Sequence, residues 1–431
     1  MSTVAHPSAE TSKAAAARVA AALRTESGLA RVGLGVAALH AADDNFLQPE
    51  AGTSAGDHLW GGLVQVGLFA LFAWGYPRLR AGARATLLLV AGILTVVMGF
   101  EAINYLRDAS LSGDDYTGLL CIPAGVLLIA VALVTLWRTR KGGSVVRRYA
   151  RRAVVGLAGL VGLYFVMYPL AESYVITHTG RAFVPTPDLG TRYRDVAFTT
   201  SDGLRLEGWY IPSRNGAAVI SFPGRKGPQK PARLLARHGY GVLLFDRRGE
   251  GESEGDPNLL GWQGTRDIEA AVAFLRAQPG VDDRRIGGLG LSVGGEMMLQ
   301  DAAESDELRA VVSEGAGIRS AREAVHMEGA EKVVASWVFG LVTAGAAVFT
   351  SNLPPRSLTD LSGEITEPTL FIHADPGQGG ETLTEKYYKA AKGPKEYWKA
   401  PGGHTGALEA APVEYERRVV GFFDRVLLGK R

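Results

Sequence analysis

Residues Gly288–Glu296 read GLGLSVGGE, a single serine set among four glycines. Two chemistries use glycine this densely. Backbone N–H groups can cradle a phosphate, or a sharply turned backbone can expose a serine hydroxyl as a nucleophile. The phosphate reading fails on spacing. After Gly288-Leu289-Gly290 the dinucleotide fingerprint requires glycine three residues on, where Val293 stands, and no G-x-x-x-x-G-K-[ST] occurs in the chain. Gly290-Leu291-Ser292-Val293-Gly294 is instead G-x-S-x-G. That is the pattern of a nucleophile elbow, in which the serine takes a strained conformation and the flanking glycines keep side chains out of a crowded turn. Ser292 would attack an acyl carbonyl once a base has taken its proton.

An elbow needs a strand before it and a helix after it. Arg285–Leu291 reads as strand and Gly295–Ala303 as helix. The same rhythm surrounds them. Strands are expected at Val196–Thr200, Leu204–Ile211, Ala217–Phe222, Gly241–Phe245, Ala310–Ser313, Pro368–His373 and Glu396–Lys399. Helices are expected at Pro231–Arg237, Thr265–Gln278 and Val413–Val426. Ser201-Asp202-Gly203 is a turn signal joining the first two strands. Short apolar strands alternating with helices imply a parallel sheet covered on both faces. Between Ser313 and Pro368 the chain runs over fifty residues where one helix would suffice. This insertion, about 316–365, is expected to form a lid over the C-terminal edge of the sheet. Its apolar run Val333–Thr350 cannot be a lone membrane span, because the strands on either side must share one sheet.

The α/β part is expected over residues 176–430. It follows a polar tail, 1–26, and a transmembrane region, 27–175. Leu59–Tyr76, Ala85–Tyr105, Leu119–Trp137 and Ala153–Ala171 are apolar and close to the roughly 20 residues a spanning helix requires. Gly28–Phe46 is a weaker fifth segment, with Arg31 near one end and Asp43-Asp44 at the other. Loops rich in Lys and Arg stay cytoplasmic, which assigns Pro77–Arg84 and Arg138–Arg152 to that side. The acidic loops, with Asp43, Asp44, Glu50 and Asp57, then Asp108, Asp114 and Asp115, face outward. Everything after about Glu172 is therefore expected outside the cytoplasmic membrane. His40, Asp43, Asp44, Asp57, His58 and Glu101 lie near the outer face. They read as solvated helix ends, without the spacing of a metal site. The chain carries 46 Lys and Arg against 44 Asp and Glu, a net charge of +2, which gives no support for nucleic-acid binding. The lone Cys121 excludes a disulfide framework or a C-x-x-C metal site. The N-terminal tail lacks the apolar core of a secretory signal, so no cleavage is expected there.

From about residue 190 to 428 the chain resembles the α/β-hydrolase family, in its branch of serine peptidases, esterases and dienelactone-hydrolase-like proteins. Besides the elbow, the resemblance rests on Asp202-Gly203-Leu204 with Leu206, Gly208-Trp209 and Pro212, which look like the opening hairpin. Asp246–Gly255 matches D-x-R-G-x-G-x-S-x-G, and Gly402-Gly403-His404 is similar to the terminal histidine motif. The resemblance implies an α/β-hydrolase fold with a mostly parallel sheet and a lid insertion, here preceded by an all-α transmembrane bundle. It implies hydrolysis of an ester or amide through an acyl-serine, with no metal and no organic cofactor. The substrate would be a small-molecule, lipid or peptide acyl compound, and membrane lipid would be met through the N-terminal helices.

On this fold the partners follow in the order Ser, acid, His. His326 falls in the lid and His373 ends a strand, which leaves His404 as general base. The family often shows H-G-x-x-D before it. Here His373-Ala374-Asp375-Pro376-Gly377 puts Gly377 at the acid position. Asp375, directly after the strand, is the first choice of acid. Glu381, beyond the Gly377–Gly380 loop, and Glu314, after the preceding strand, are the alternatives. The oxyanion hole would use the backbone N–H of Val293 and one from the loop Pro223–Gly227. Proline has no N–H, so Arg225 is expected to supply it. The Arg225 and Lys226 side chains would either bind an anionic substrate or form a solvated pair. The reading as a whole is a membrane-anchored serine hydrolase on the outer face. Its alternative is a non-catalytic scaffold that binds a ligand or partner at the membrane surface.

Overall fold

A computed structural model describes residues 21, 24–108, 111, 113–138, 144–181, 183–329, 331–377 and 379–430. They divide into two compact units. One comprises the residues up to Pro49 and Ala55–Val175, the other Glu50–Ser54 and the chain from Ile176 onward.

The first unit is helical: α1 Glu26–Ala42, α2 Leu59–Gly75, α3 Ala81–Met98, α4 Phe100–Asp108, α5 Asp115–Arg138, α6 Val145–Gly162 and α7 Tyr168–Thr177, the last two joined through a π turn at Leu163–Met167. By length and composition, Leu59–Arg78, Ala81–Leu106, Asp115–Arg138 and Tyr149–Thr177 are each able to cross a membrane. Small residues let these helices approach closely. A Cβ on Gly125 of α5 would lie 2.5 Å from the Gly92 carbonyl of α3, and one on Gly33 of α1 would lie 2.6 Å from Leu128 Cγ.

The ionisable residues of α1 correct an expectation. His40, Asp43 and His58 are buried rather than solvated. Past Ala42 the helix widens into a π turn, Asp43–Leu47, in which Asp43 and Asn45 are buried. The Thr117 hydroxyl donates to Asp43 Oδ2 at 2.7 Å and lies 3.1 Å from His40 Nδ1. Among the described residues no group of His, Cys, Asp and Glu gathers as a metal site.

The second unit holds an eight-stranded sheet in the order β1-β2-β4-β3-β5-β6-β7-β8. The strands are β1 Arg194–Thr199, β2 Arg205–Ile211, β3 Ala218–Phe222, β4 Gly241–Phe245, β5 Ile286–Leu291, β6 Ala310–Glu314, β7 Thr369–Asp375 and β8 Lys395–Pro401. Only the β1–β2 and β2–β4 pairs are antiparallel. Strands β3 to β6 are buried along their whole length, which is why they read as unbroken apolar runs rather than alternating ones. Alternate residues enter opposite cores: Val219 and Leu244 join one with Phe423, Ile220 and Phe245 the other with Met297 and Phe371. The helices that bear on the site are α8 Lys230–Arg237, α9 Gly264–Arg276, α10 Val293–Glu304, α11 Glu331–Thr350, α12 Thr384–Ala390 and α13 Gly421–Leu428.

Helix α11 lies in the insertion between β6 and β7. Lys332–Thr350 is also long and apolar enough to cross a membrane, yet β6 and β7 pair directly, Val311 opposite Thr369. The helix packs within this unit, where Val342 and Ala346 are buried and Thr343 Oγ1 accepts the Ala321 N–H at 2.8 Å. Strand β7 is longer than its sequence suggests. It continues through Asp375 because β8 pairs with it as far as Asp375 opposite Pro401.

Candidate active site

Strand β5 delivers Ser292 to the C-terminal edge of the sheet, and α10 starts at the next residue. Ser292 has φ 55 and ψ −125, a strained conformation for a residue with a side chain. The glycines on either side make room for it. A Cβ on Gly294 would lie 2.6 Å from Phe222 Cβ, and one on Gly290 would run into the Gly294 backbone. The Ser292 N–H donates to the Glu314 carbonyl at 2.8 Å, tying the turn to β6.

The loop after β8 brings His404 to the same edge. His404 Nε2 lies 2.9 Å from Ser292 Oγ, and Nδ1 is in close contact with Glu381 Oε1. Glu381 is 1% exposed. Its hydrogen bond raises the His404 pKa above the ordinary value, while burial pulls the other way and the charges of Glu296 and Glu314 add to the rise. Two residues that carry no obvious sequence signal fix this pair. Gly315 (φ +73) lies flush beneath it: a Cβ there would be 2.9 Å from Glu381 Oε1 and 3.1 Å from His404 Cε1. His373 holds the acid's backbone, Nδ1 to the Glu381 carbonyl at 3.0 Å. The glycine directly after β6 was the only available hint of the first.

Glu381, not Asp375, therefore sits against His404. Asp375 still belongs to β7, so its side chain follows the strand's alternation out to Lys399, 3.1 Å away, with both side chains 56% exposed. Gly377 lies next to the Glu381 carboxylate. A Cβ at that position would lie 3.0 Å from Glu381 Oε2, so a carboxylate reaching back from residue 381 fills the space next to the glycine. Glu314 is buried but does not share a hydrogen bond with His404. Its carboxylate accepts the Ala407 N–H at 3.1 Å, and burial pushes its pKa up to about 7. Glu296, one turn into α10, was not anticipated as a site residue. It is buried, accepts the Gly317 N–H at 2.9 Å, and burial pushes its pKa up to about 6.

Both readings of the Arg225 and Lys226 side chains need correction. Arg225, 3% exposed, donates to Asp246 at 2.6 Å and to Glu252 at 2.8 Å, and Lys226 meets Glu250 at 2.5 Å. These cations are neutralised within the fold rather than solvated or held ready for a substrate. The loop that carries them starts beside the elbow, since Phe222, the last residue of β3, pairs with Gly290. The Val293 N–H is the first of α10 and has no acceptor within its own helix.

Known proteins agree with this architecture. A family model described as X-Pro dipeptidyl-peptidase (S15 family) matches residues 190–400. Uncharacterized protein Rv2307c of Mycobacterium tuberculosis is 33% identical over 233 residues, covering 49% of this chain and 72% of the relative. The chain belongs to the α/β-hydrolase family. The polyketide transferase grgF of Penicillium sp. is 35% identical over 127 residues, 28% of this chain and 43% of the relative. The thiohydrolase aneE of Aspergillus aculeatus is 36% identical over 129 residues, 28% of this chain and 41% of the relative. The chain thus spans less than half the length of these two fungal proteins. The solved structure of the Pyrococcus furiosus esterase Pf2001 superposes with a TM-score of 0.47 at 24% identity, over 57% of this chain and 98% of that one. In this α/β-hydrolase the family match begins after the last helix of the helical unit, Tyr168–Thr177.

Proposed function

We propose that this α/β-hydrolase is a serine hydrolase that cleaves an ester or amide through an acyl-serine intermediate. The observation that carries the reading is the line of contacts from Ser292 Oγ to His404 Nε2 and from His404 Nδ1 to Glu381. His404 takes the Ser292 proton as Oγ attacks the acyl carbonyl, then hands it to the leaving alkoxide or amine. Glu381 holds the imidazole in the tautomer that leaves Nε2 free to accept, and stabilises the cation without taking the proton. Water then gives a proton to His404 and its oxygen to the acyl carbon, which releases the acid and restores Ser292. The N–H groups of Val293 and Arg225 are the proposed oxyanion donors, and loss of one such donor typically costs roughly 3 kcal/mol of transition-state stabilisation.

The helical unit anchors the enzyme in the cytoplasmic membrane, with the hydrolase unit on the outer face. Four apolar helices and the Arg-rich loops between them support this placement. So does the packing of residues 50–54, whose loop the charges assign outside, as part of the hydrolase unit. The substrate is an acyl compound: a small ester, a lipid or a peptide. The names of the relatives, a thiohydrolase and an X-Pro dipeptidyl-peptidase family, are in keeping with acyl chemistry and do not choose between ester and amide. The alternative of a non-catalytic scaffold is favoured by Gly377 at the family's acid position, while the Glu381 carboxylate beside that glycine supports the catalytic reading over it.

An active-site fluorophosphonate tests the proposal on the folded, full-length chain. Ser292 is expected to be labelled, and Ser292→Ala is expected to abolish both labelling and ester hydrolysis. A folded wild-type chain that stays unlabelled at Ser292 would sink the hydrolase reading.

A further inference from the structure

Residues 50–54 follow α1 in the sequence and precede α2, yet they pack as part of the hydrolase unit. Their contacts are specific. The Ala51 carbonyl accepts the N–H of Gly255 at 2.8 Å, and Gly255 is buried. Glu50 accepts from Arg181 Nη2 at 2.8 Å, while Nη1 of the same arginine donates to the Ser253 carbonyl. Gly52 (φ +83) leaves no room for a side chain, since a Cβ there would lie 2.8 Å from Glu254 Cβ and 3.0 Å from Leu204 Cδ2. A strap of five residues and one arginine thus grips Ser253, Glu254 and Gly255.

These three residues close the loop 246–255, and the other side of that loop grips the backbone beside the elbow. Asp246 Oδ2 takes both Nε and Nη2 of Arg225, at 3.0 and 2.6 Å. Glu252 takes Nη1 of Arg225 and Glu250 takes Lys226 Nζ. Two consecutive residues of the oxyanion loop are therefore fixed by three carboxylates of 246–252. Ser253 links the two sides, its hydroxyl donating to the Asp246 carbonyl at 2.7 Å and accepting from the Glu207 N–H at 2.9 Å. The carboxylates sit on a glycine-rich stretch with little stiffness of its own. Arg248 ties the near side of the stretch to Asp202 and Asp267, and Glu254 ties it to Arg205, while residues 50–54 and Arg181 add the hold on its outer end.

We propose that residues 50–54 and Arg181 are positioning elements of the hydrolase site: they hold the 246–255 loop, which holds Arg225 and its N–H in place for the oxyanion. This rests on the hydrolase reading and assigns the segment between α1 and α2 a part in turnover. It makes a definite kinetic demand. An oxyanion donor acts in the transition state, so loosening the strap lowers kcat and leaves KM nearly unchanged.

The experiment uses the full chain in detergent with p-nitrophenyl butyrate, comparing Gly52→Val, Arg181→Ala, Arg181→Lys and Glu50→Gln. Each is followed by kcat, KM, fluorophosphonate labelling of Ser292 and thermal unfolding. Gly52→Val and Arg181→Ala are expected to lower kcat about 10-fold, a fraction of what full loss of an oxyanion donor costs, with KM little changed. Arg181→Lys keeps one cationic donor and should recover part of the loss, and Glu50→Gln keeps a neutral acceptor and should fall least. Wild-type kcat in both Gly52→Val and Arg181→Ala, with Ser292 labelled throughout, overturns the proposal and leaves the hydrolase reading standing. A fall in kcat that merely tracks loss of folded protein, with Arg181→Lys no better than Arg181→Ala, overturns it equally. An unlabelled wild-type Ser292 overturns the hydrolase reading, and this proposal with it.

Discussion

The two units each bring a histidine, a hydroxyl and a carboxylate within hydrogen-bonding reach, and they connect them in different orders. In the helical unit the Thr117 hydroxyl stands in the middle, between His40 Nδ1 and Asp43. In the hydrolase unit the imidazole stands in the middle, between Ser292 and Glu381. Only the second order lets a carboxylate stabilise an imidazolium while that imidazole takes a hydroxyl proton. In the first, the Thr117 hydroxyl donates to the carboxylate rather than to His40, whose other ring nitrogen lies 3.4 Å from the Tyr174 hydroxyl. The same three chemical types serve packing in one place and are arranged for chemistry in the other. Sequence of contacts, not composition, separates them.

The sharpest way to break this comparison is to change one member of the cluster on each side. Glu381→Gln keeps the shape and loses the charge. By analogy with other Ser-His-acid sites, kcat should fall on the order of 10³- to 10⁴-fold. Thr117→Val removes the hydroxyl from the helical cluster and should leave kcat within about twofold, as expected for distant sites. Asp375→Asn should behave like Thr117→Val. If Asp375→Asn were the damaging change, the assignment of Glu381 would be wrong.

Glycine offers a second contrast. Gly315→Ala would place a methyl against the Glu381–His404 pair at a positive φ. A misplacement of about 1 Å there is expected to cost about 10²-fold in kcat. Gly125→Ala would push α3 and α5 apart, with an expected cost of about 1–3 kcal/mol in stability and no loss of kcat per folded molecule. Steady-state kinetics alongside thermal unfolding would separate the two.

The pH profile sharpens the same point. His404 must be neutral to act as base, so kcat/KM should climb with pH through its raised pKa, with a midpoint above the ordinary imidazole value of about 6.5. The residual activity of Glu381→Gln should show that midpoint moved down, since the largest cause of the rise is gone. A midpoint that stays put would mean Glu381 does not face the working imidazole.

The last effect concerns stability. Asp301, buried in α10, has its pKa pushed up to about 8, mainly by burial, with Glu307, Glu269 and Glu304 adding to it. Below about pH 4 the group is neutral folded and unfolded alike. From there toward pH 8 the unfolded chain releases a proton that the folded chain keeps, so stability falls with rising pH. Asp301→Asn removes that fall. Its melting temperature relative to wild type should rise steadily from pH 5 to 8, in line with a gain of up to about 1.4 kcal/mol of stability per pH unit. An unchanged difference across that range would contradict a protonated Asp301.

Local signals were legible. The elbow at Ser292 needs only a strand, a helix and two glycines, all within the contiguous stretch Ile286–Glu304. The sheet could be foreseen because interior parallel strands such as Ala218–Phe222 and Gly241–Phe245 are apolar without interruption. The acid was misread for a reason that lies outside its own segment. Whether Asp375 ends the strand or starts the loop depends on how far β8 pairs with β7, and that extent is set by a partner strand that lies beyond a helix in the chain. The end of α1 was misread likewise: His40 and Asp43 are buried against residues distant in the chain, Thr117 among them.

The sequence alone determined the strand-turn-helix around Ser292, the parallel sheet and the separate apolar helical region, because each follows from residues close together or from a repeated burial pattern. Only the tertiary structure chose among three carboxylates, buried the polar end of α1, and brought residues 50–54 to the hydrolase unit. Those outcomes depend on contacts between segments far apart in the chain, where close packing and the need to satisfy buried polar groups decide what a residue's type leaves open.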